Sequence, residues 1–314
     1  MKLVTSVCLA LSLATPVLAT AAEPESCKLV RFADVGWTDI TVTTAVSRFL
    51  LGSLGYTTNA KRLSVPDTFK NLETKQIDVF LGNWMPAQEH EIKPFLDAGS
   101  IESVRANLHG AKYTLAVPAF VYDGGLKSFA DLGKYREKLD GKIYGIEPGN
   151  DGNALIQKMI KGNSFGTGQF ELVESSEQKM LASVTRAEHL QQWIVFLGWE
   201  PHPMNNHLKM KYLDGGDEFF GPDYGGATVY SLTRKNFSKE CANVGTLLSN
   251  LEFSLGMENE LMDQVINQTA NPRQSAKDWL YAHPEVLDKW LHGVTTRDGK
   301  PALAVVREKL ELAP

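Results

Sequence analysis

The chain predicts an α/β protein of two lobes, each a mostly parallel sheet flanked by helices, with two hinge crossings of the backbone between them. Three observations predict this. Apolar strand-like runs alternate with helix-length segments through the first two thirds of the 314 residues, and such alternation marks an α/β architecture with parallel strands. The alternation breaks twice, at a loop with Gly110 before Tyr113 and again at Tyr230–Asn236. Each break reads as a passage from one lobe to the other. Finally, about 290 residues remain once an N-terminal leader is set aside, enough for two separate cores. The division is 22–110 with 234–314 for the first lobe and 111–233 for the second.

Taken in order, Lys28–Asp34 reads as a strand. Asp39–Leu54 reads as a helix with Ile40, Val46, Phe49, Leu50 and Leu54 on or near one face, stopped by Gly55. Thr57–Ser64 is a strand, Pro66–Lys75 a short helix, and Ile77–Gly82 an unbroken apolar run suited to a strand buried on both faces. Pro86–Ala98 is helical up to Gly99. Tyr113–Tyr122 is the next strand, with Pro118 inside it suggesting an edge or a bulge. Lys142–Ile146, a helix over 153–161 and Phe170–Glu174 follow. Ser175 and Gln178 form a capping box for a helix through Gln191. Trp193–Trp199 is a buried strand. Beyond Thr228–Thr233 the chain is mainly helical, over Phe237–Phe253, Glu258–Gln268 and Gln274–His292.

The first residues read as a secretory signal peptide spanning 1–21. Lys2 supplies the positive start, Leu3–Leu18 the apolar run, and Ala19-Thr20-Ala21 the small-residue cleavage site, with cleavage after Ala22 as the alternative. Cys8 lies within the apolar run without the flanks of a lipid-attachment site. The whole chain carries a formal charge of −5, and loss of Lys2 leaves −6. This mild acidity speaks against nucleic acid as a partner and weakly favours cations. Two cysteines remain, Cys27 and Cys241. In an oxidising compartment they are candidates for one disulfide, with two buried free thiols as the alternative. Such a bridge requires both ends to lie in one lobe, as the division above provides.

Four aromatic residues stand at ends of these strand-like runs: Trp37, Trp84, Tyr113 and Trp199. Strand ends of open α/β sheets are where ligands bind. A tryptophan taken alone is more often packing than ligand contact. Four rings from four segments can nevertheless form a box, and the ligand that needs one is a quaternary ammonium. It has no N–H to donate, so ring faces must hold its charge. Asp39 lies two residues past Trp37, at a helix start where Asp also commonly caps. Asn150 sits between a strand and a helix, where a turn or cap role competes with ligand binding.

Gly82-Asn83-Trp84-Met85-Pro86, Gly198-Trp199-Glu200-Pro201-His202 and Tyr230-Ser231-Leu232-Thr233-Arg234-Lys235 resemble segments of the substrate-binding proteins of ABC importers for choline and glycine betaine. The likeness runs in order along nearly the whole chain after the leader and is greatest to choline-binding members from rhizobia. It implies a two-lobed (type II) periplasmic binding protein that closes over its ligand with high affinity and delivers it to a membrane permease with its ATPase. It also implies a monomer, and choline as ligand, with acetylcholine and more weakly betaine as secondary ones. Glycine betaine or another quaternary ammonium is the alternative. Asp39 and Asn150 fall by this resemblance at the hydroxyl end of choline. An ionised Asp39 there would repel the carboxylate of betaine.

Enzymatic readings find little to stand on. The seven histidines are scattered, and His202 and His207 stand five apart in a Pro/Asn-rich stretch, a poor metal pair. No Gly-x-Ser-x-Gly elbow is present, and Gly215-Gly216 and Gly225-Gly226 mark a loop and not a phosphate cradle. No catalytic residue, cofactor or metal is expected, which sets aside a choline-ester hydrolase and a metal- or heme-binding receptor.

Overall fold

A computed structural model describes residues 23–312. The signal segment expected at 1–21 lies outside them. Among the described residues nine strands form one mixed sheet: β1 (Leu29–Asp34), β2 (Thr57–Arg62), β3 (Val79–Met85), β4 (Ile101–Pro118), β5 (Lys142–Tyr144), β6 (Glu171–Val173), β7 (Phe196–Glu200), β8 (Met210–Tyr212) and β9 (Gly226–Arg234). Their order is β2-β1-β3-β9-β4-β7-β5-β6, with β8 also on β4. The principal early helices are α1 (Thr38–Ser53), α2 (Val65–Glu73), α3 (Glu89–Asp97), α4 (Ala119–Asp123), α5 (Asp151–Lys161) and α6 (Glu177–Leu190).

The sheet has two parallel flanks. In one, β1 pairs in parallel with β2 and β3; in the other, β5 pairs in parallel with β6 and β7. Between them run β4 and β9, antiparallel to each other and to their outer neighbours β3 and β7. Parallel pairing is therefore confined to the flanks and is less dominant than the strand–helix alternation suggests. The reason is that the two segments carrying the chain between flanks are themselves strands.

This corrects the reading around Gly110. No loop precedes Tyr113. The strand starts at Ile101, and Gly110, at φ +76°, sits in an irregular stretch where the β4–β9 register shifts between Leu108 and Ala111. A positive φ suits glycine and lets a strand bulge without ending. Up to Ala111 the strand lies along β9, and from Lys112 it also lies along β7. Nor does the strand continue to Tyr122. It ends at Pro118, and 119–123 turn into α4, with the Ala119 N–H bonded to the Lys209 carbonyl at 2.6 Å.

Side-chain caps account for several helix starts. Ser64 caps α2 by accepting from the Asp67 N–H, and Asn150 caps α5 by accepting from Asn153. The cap of α6 is Ser176, accepting from Lys179, one residue later than the Ser175–Gln178 pairing proposed. The expected helix over 237–253 divides at Cys241 into Phe237–Glu240 and Ala242–Asn250. The one over 274–292 divides into Pro272–Ala282 and Val286–Trp290.

Cys27 and Cys241 form a disulfide with their Cα atoms 5.5 Å apart, joining the start of β1 to the break between the helices 237–240 and 242–250. A second tie lies nearby. Asp78, almost fully buried, accepts from Arg31 at 2.7 and 2.8 Å and from Arg234 at 2.8 Å, linking β1, the start of β3 and β9. The helices Leu255–Ile266 and Pro272–Ala282 pack on α1. The first flank is thus built from both ends of the chain.

Candidate functional site

One cavity of about 10 Å³ between the two flanks is lined by Trp37, Asp39, Trp84, Tyr113, Ile146, Asn150, Asp151 and Trp199. All six residues singled out from the sequence meet there. Trp37 is the residue before α1, and Asp39 is in its first turn. Trp84 is the penultimate residue of β3, and Trp199 the penultimate residue of β7. Tyr113 lies within β4, just past the point where that strand joins β7. The four rings are buried, at 3–7% exposure. Trp84 and Tyr113 are 5.9 Å apart between centroids and tilted by 55°. Phe220 meets Tyr113 edge-on at 6.1 Å from outside the lining. Trp84 and Trp199 are each followed within two residues by a cis X–Pro bond, Met85–Pro86 and Glu200–Pro201, which spacing in the sequence did not signal.

The polar groups divide into used and unused atoms. Asn150 Oδ1 accepts from the Tyr113 hydroxyl at 2.8 Å and from the Asn153 N–H at 3.1 Å. Its oxygen is therefore occupied, and the amide NH₂ is the half left to face a ligand. Asp39 Oδ2 accepts from the Trp84 indole N–H at 3.2 Å, while Oδ1 has no partner among the described residues. Asp151 Oδ1 accepts a long hydrogen bond from the Gln88 amide at 3.4 Å, and its Oδ2 also lacks a partner.

Burial raises both carboxyls. Asp39 is pushed up to about 8, by burial first and by the nearby Glu177 carboxylate second. Asp151 is pushed up to about 7, by burial and by Glu91. Behind Asp39, the buried Glu258 is also raised well above the usual carboxylate range, by burial and by Asp39. No Lys, Arg or His lines the cavity. A cation entering it would find two carboxyls and four rings, and no competing positive charge.

A further contact closes the edge of the site. Glu177, the first residue of α6, accepts from the Thr38 N–H at 2.9 Å and from its hydroxyl at 2.6 Å, and lies 3.2 Å from His202 Nε2. Burial pushes this carboxyl up, but the His202 ring and the two Thr38 donors outweigh it, and the net shift is downward. The α1 start is therefore held by a carboxylate from the opposite flank, and the residue preceding that helix is Trp37, not Asp39. His202 and His207 do not converge: His202 faces Glu177, and His207 pairs with Asp263 at 2.8 Å. Among the described residues no His, Cys, Asp and Glu side chains group in a way that could hold a metal ion.

Asp151, Ile146, Gln88, Glu177 and Glu258 were not singled out from the sequence. For Asp151 a signal existed: it adjoins Asn150 at a strand-to-helix junction.

Residues 28–282 match the family model described as OpuAC, the substrate binding domain of ABC-type glycine betaine transport systems. The chain belongs to this family. Its members are substrate-binding proteins of ABC transporters and not enzymes. Among solved structures, an ABC-transporter choline binding protein in complex with choline is 55% identical. The match covers 92% of this chain and all of that one, with a TM-score of 0.91. The ABC-transporter choline binding protein in an unliganded semi-closed conformation gives the same identity and coverage, with a TM-score of 0.85. Lactococcal OpuAC with glycine betaine shares the fold at 23% identity and a TM-score of 0.76, over 84% of this chain and 99% of that one. An uncharacterized protein, ORF1, of Chromohalobacter salexigens is 49% identical over 140 residues, 45% of this chain and 88% of that protein. The glycine betaine/carnitine transport binding protein GbuC of Listeria monocytogenes is 27% identical over 169 residues, 54% of each chain. The fold is that of two-lobed binding proteins, as the sequence led us to expect.

Proposed function

We propose that the protein captures choline in an aromatic box between two closing lobes and delivers it to an ABC importer. The observation that carries this reading is the cavity lining: four rings and two carboxyls with no basic side chain. Each ring facing a quaternary ammonium is worth roughly 0.5–2 kcal/mol. Four of them supply a large part of the ~8 kcal/mol that a micromolar site needs, and burial of the ligand's methyl groups adds to it. In this reading Trp37, Trp84, Tyr113 and Trp199 hold the trimethylammonium group. Asp39 accepts from the choline hydroxyl through its unpaired oxygen, and Asn150 donates to the same hydroxyl. The likeness to a choline binding protein at 55% identity supports the choice of ligand.

The lobes in this reading are 22–110 with 234–314 and 111–233, so that both divisions fall within the paired strands β4 and β9. Trp37, Asp39 and Trp84 belong to the first lobe, and Tyr113, Asn150 and Trp199 to the second. The box is complete only on closure, which makes the ligand the adhesive. The protein works as a periplasmic monomer, exported by residues 1–21, and its membrane partner is a permease with its ATPase.

Calorimetric titration with choline, acetylcholine and glycine betaine in parallel tests the reading. Choline should bind most tightly. Tighter binding of glycine betaine would reassign the site, and no binding of any of the three would remove the box from consideration.

A further inference from the structure

We infer that Asp151 is a second specificity-determining residue of this site, a built-in negative charge that admits cations and turns away zwitterionic ligands such as betaines. The inference rests on the choline reading above and extends it. Asp151 is 2% exposed, lines the cavity beside Asn150, and keeps Oδ2 without a partner among the described residues.

Its place in the fold gives the argument its force. Asp151 is the first residue of α5. The first turn of a helix carries the positive end of the backbone dipole, which attracts anions; in α5 Asn150 takes the Asn153 N–H and leaves that dipole in place. Left open, that end of α5 would suit the carboxylate of a betaine. A carboxylate fixed there by the protein removes the attraction and adds repulsion, at no cost to a ligand that carries only positive charge. Asn150, the cap, cannot do this, because its free half is an amide donor that suits a hydroxyl and a carboxylate alike. Asp39 approaches from the other flank, so a bound cation lies between two carboxyls.

The groups facing Asp151 are Gln88, just before α3, Glu91 on α3, and Tyr113 on β4. Gln88 also donates to the Gly82 carbonyl at 3.1 Å and leaves its own oxygen unpartnered. The amide therefore tethers one oxygen of Asp151 without neutralising it. A purely structural role for Asp151, as a contact between flanks, would act on every ligand equally.

The experiment is calorimetry on the mature protein and on Asp151→Asn at pH 8.5, each with choline and with glycine betaine, after circular dichroism has established folding. We expect the variant to lose about tenfold in choline affinity. Its affinity for betaine should stay within threefold or rise, so that the choline-to-betaine ratio falls about tenfold or more. An unchanged ratio overturns the inference, whether both affinities fall together or neither moves. If Asp151→Asn does not fold, Asp151→Ser carries the same comparison, since serine is well tolerated in a first helical turn. Wild-type protein that fails to bind choline defeats the underlying reading. Wild-type protein that binds choline with no change of ratio in the variant defeats only this one.

Discussion

The Trp84 indole N–H donates to Asp39 Oδ2 at 3.2 Å, so one wall of the cavity also orients its carboxyl. The two oxygens of Asp39 are thereby given separate tasks. One is held by the protein, and the other has no partner among the described residues.

This makes Trp84 separable by substitution. Trp84→Ala removes ring and donor and should weaken choline binding about tenfold or more, as should Trp37→Ala and Trp199→Ala, since one wall of a cage contributes roughly 1–2 kcal/mol. Trp84→Phe keeps a ring face but withdraws the donor, so its loss should be smaller. Tyr113→Phe should likewise cost less than Tyr113→Leu. Two of the three tryptophan-to-alanine variants staying within twofold of wild type would mean the rings are packing and not a cage.

Choline binding should strengthen with pH. Burial raises the Asp39 and Asp151 carboxyls to about 8 and about 7, so at pH 6 both are largely protonated. A cation favours the ionised forms. Affinity should therefore rise from pH 6 and level off above about 8, with net proton release seen as a buffer-dependent heat near neutrality. The sign reverses for the ligand-free fold. These groups hold protons in the folded state that the unfolded chain has lost above about pH 4, so stability without ligand should fall as pH rises from about 4 to 8. Asp39→Asn should flatten part of the pH profile and lower the choline-to-betaine ratio about tenfold at pH 8.5. A flat profile in the wild type would mean that neither carboxyl senses the ligand.

Glu177 predicts the opposite pattern. It joins Thr38 on one flank to His202 on the other without lining the cavity. Glu177→Ala strands a buried N–H and a hydroxyl, a penalty of about 1–3 kcal/mol. It should weaken choline and betaine by the same factor, roughly tenfold, because it acts on closure and not on recognition. Selective loss of one ligand, in side-by-side titrations, would place Glu177 in the recognition set.

Replacing Cys27 and Cys241 by serine opens a loop of 214 residues, and should cost about 2–5 kcal/mol of stability. Denaturant unfolding measures this, and thiol titration of the unreduced, unfolded wild type should find no free thiol. The choline affinity of the folded variant should stay near wild type, because neither cysteine lines the cavity.

The convergence of the four rings was legible in the sequence because its signal is local: large rings at the ends of apolar runs. Asp151 was less so. An Asp after Asn at a helix start carries the same local pattern whether it caps a helix or faces a ligand, and only the geometry across the flanks separates the two. Glu177 could not be found at all, since its partner Thr38 lies 139 residues away and neither residue type is unusual in its place. The misreading of Gly110 has a definite cause. A glycine at positive φ marks a turn in most contexts, and here it marks a bulge in a strand that continues. Pro118 is the reverse case: it ends a strand whose apolar pattern runs on to Tyr122.

The strand order also sets a sequence of assembly. The strands β4 to β8 and their helices are contiguous in sequence, with β7 and β8 both pairing with β4, so they can come together as soon as that stretch has emerged. The flank containing β1, β2 and β3 is different. Its β3 needs β9, its first cysteine needs Cys241, and α1 needs the helices at 255–266 and 272–282. The flank that begins at β1 is therefore among the last parts to be completed. Until then it presents unpaired strand edges and apolar faces, the features that invite aggregation. Truncation near the C-terminus should accordingly damage the N-terminal flank, and leave the middle of the chain best able to stand.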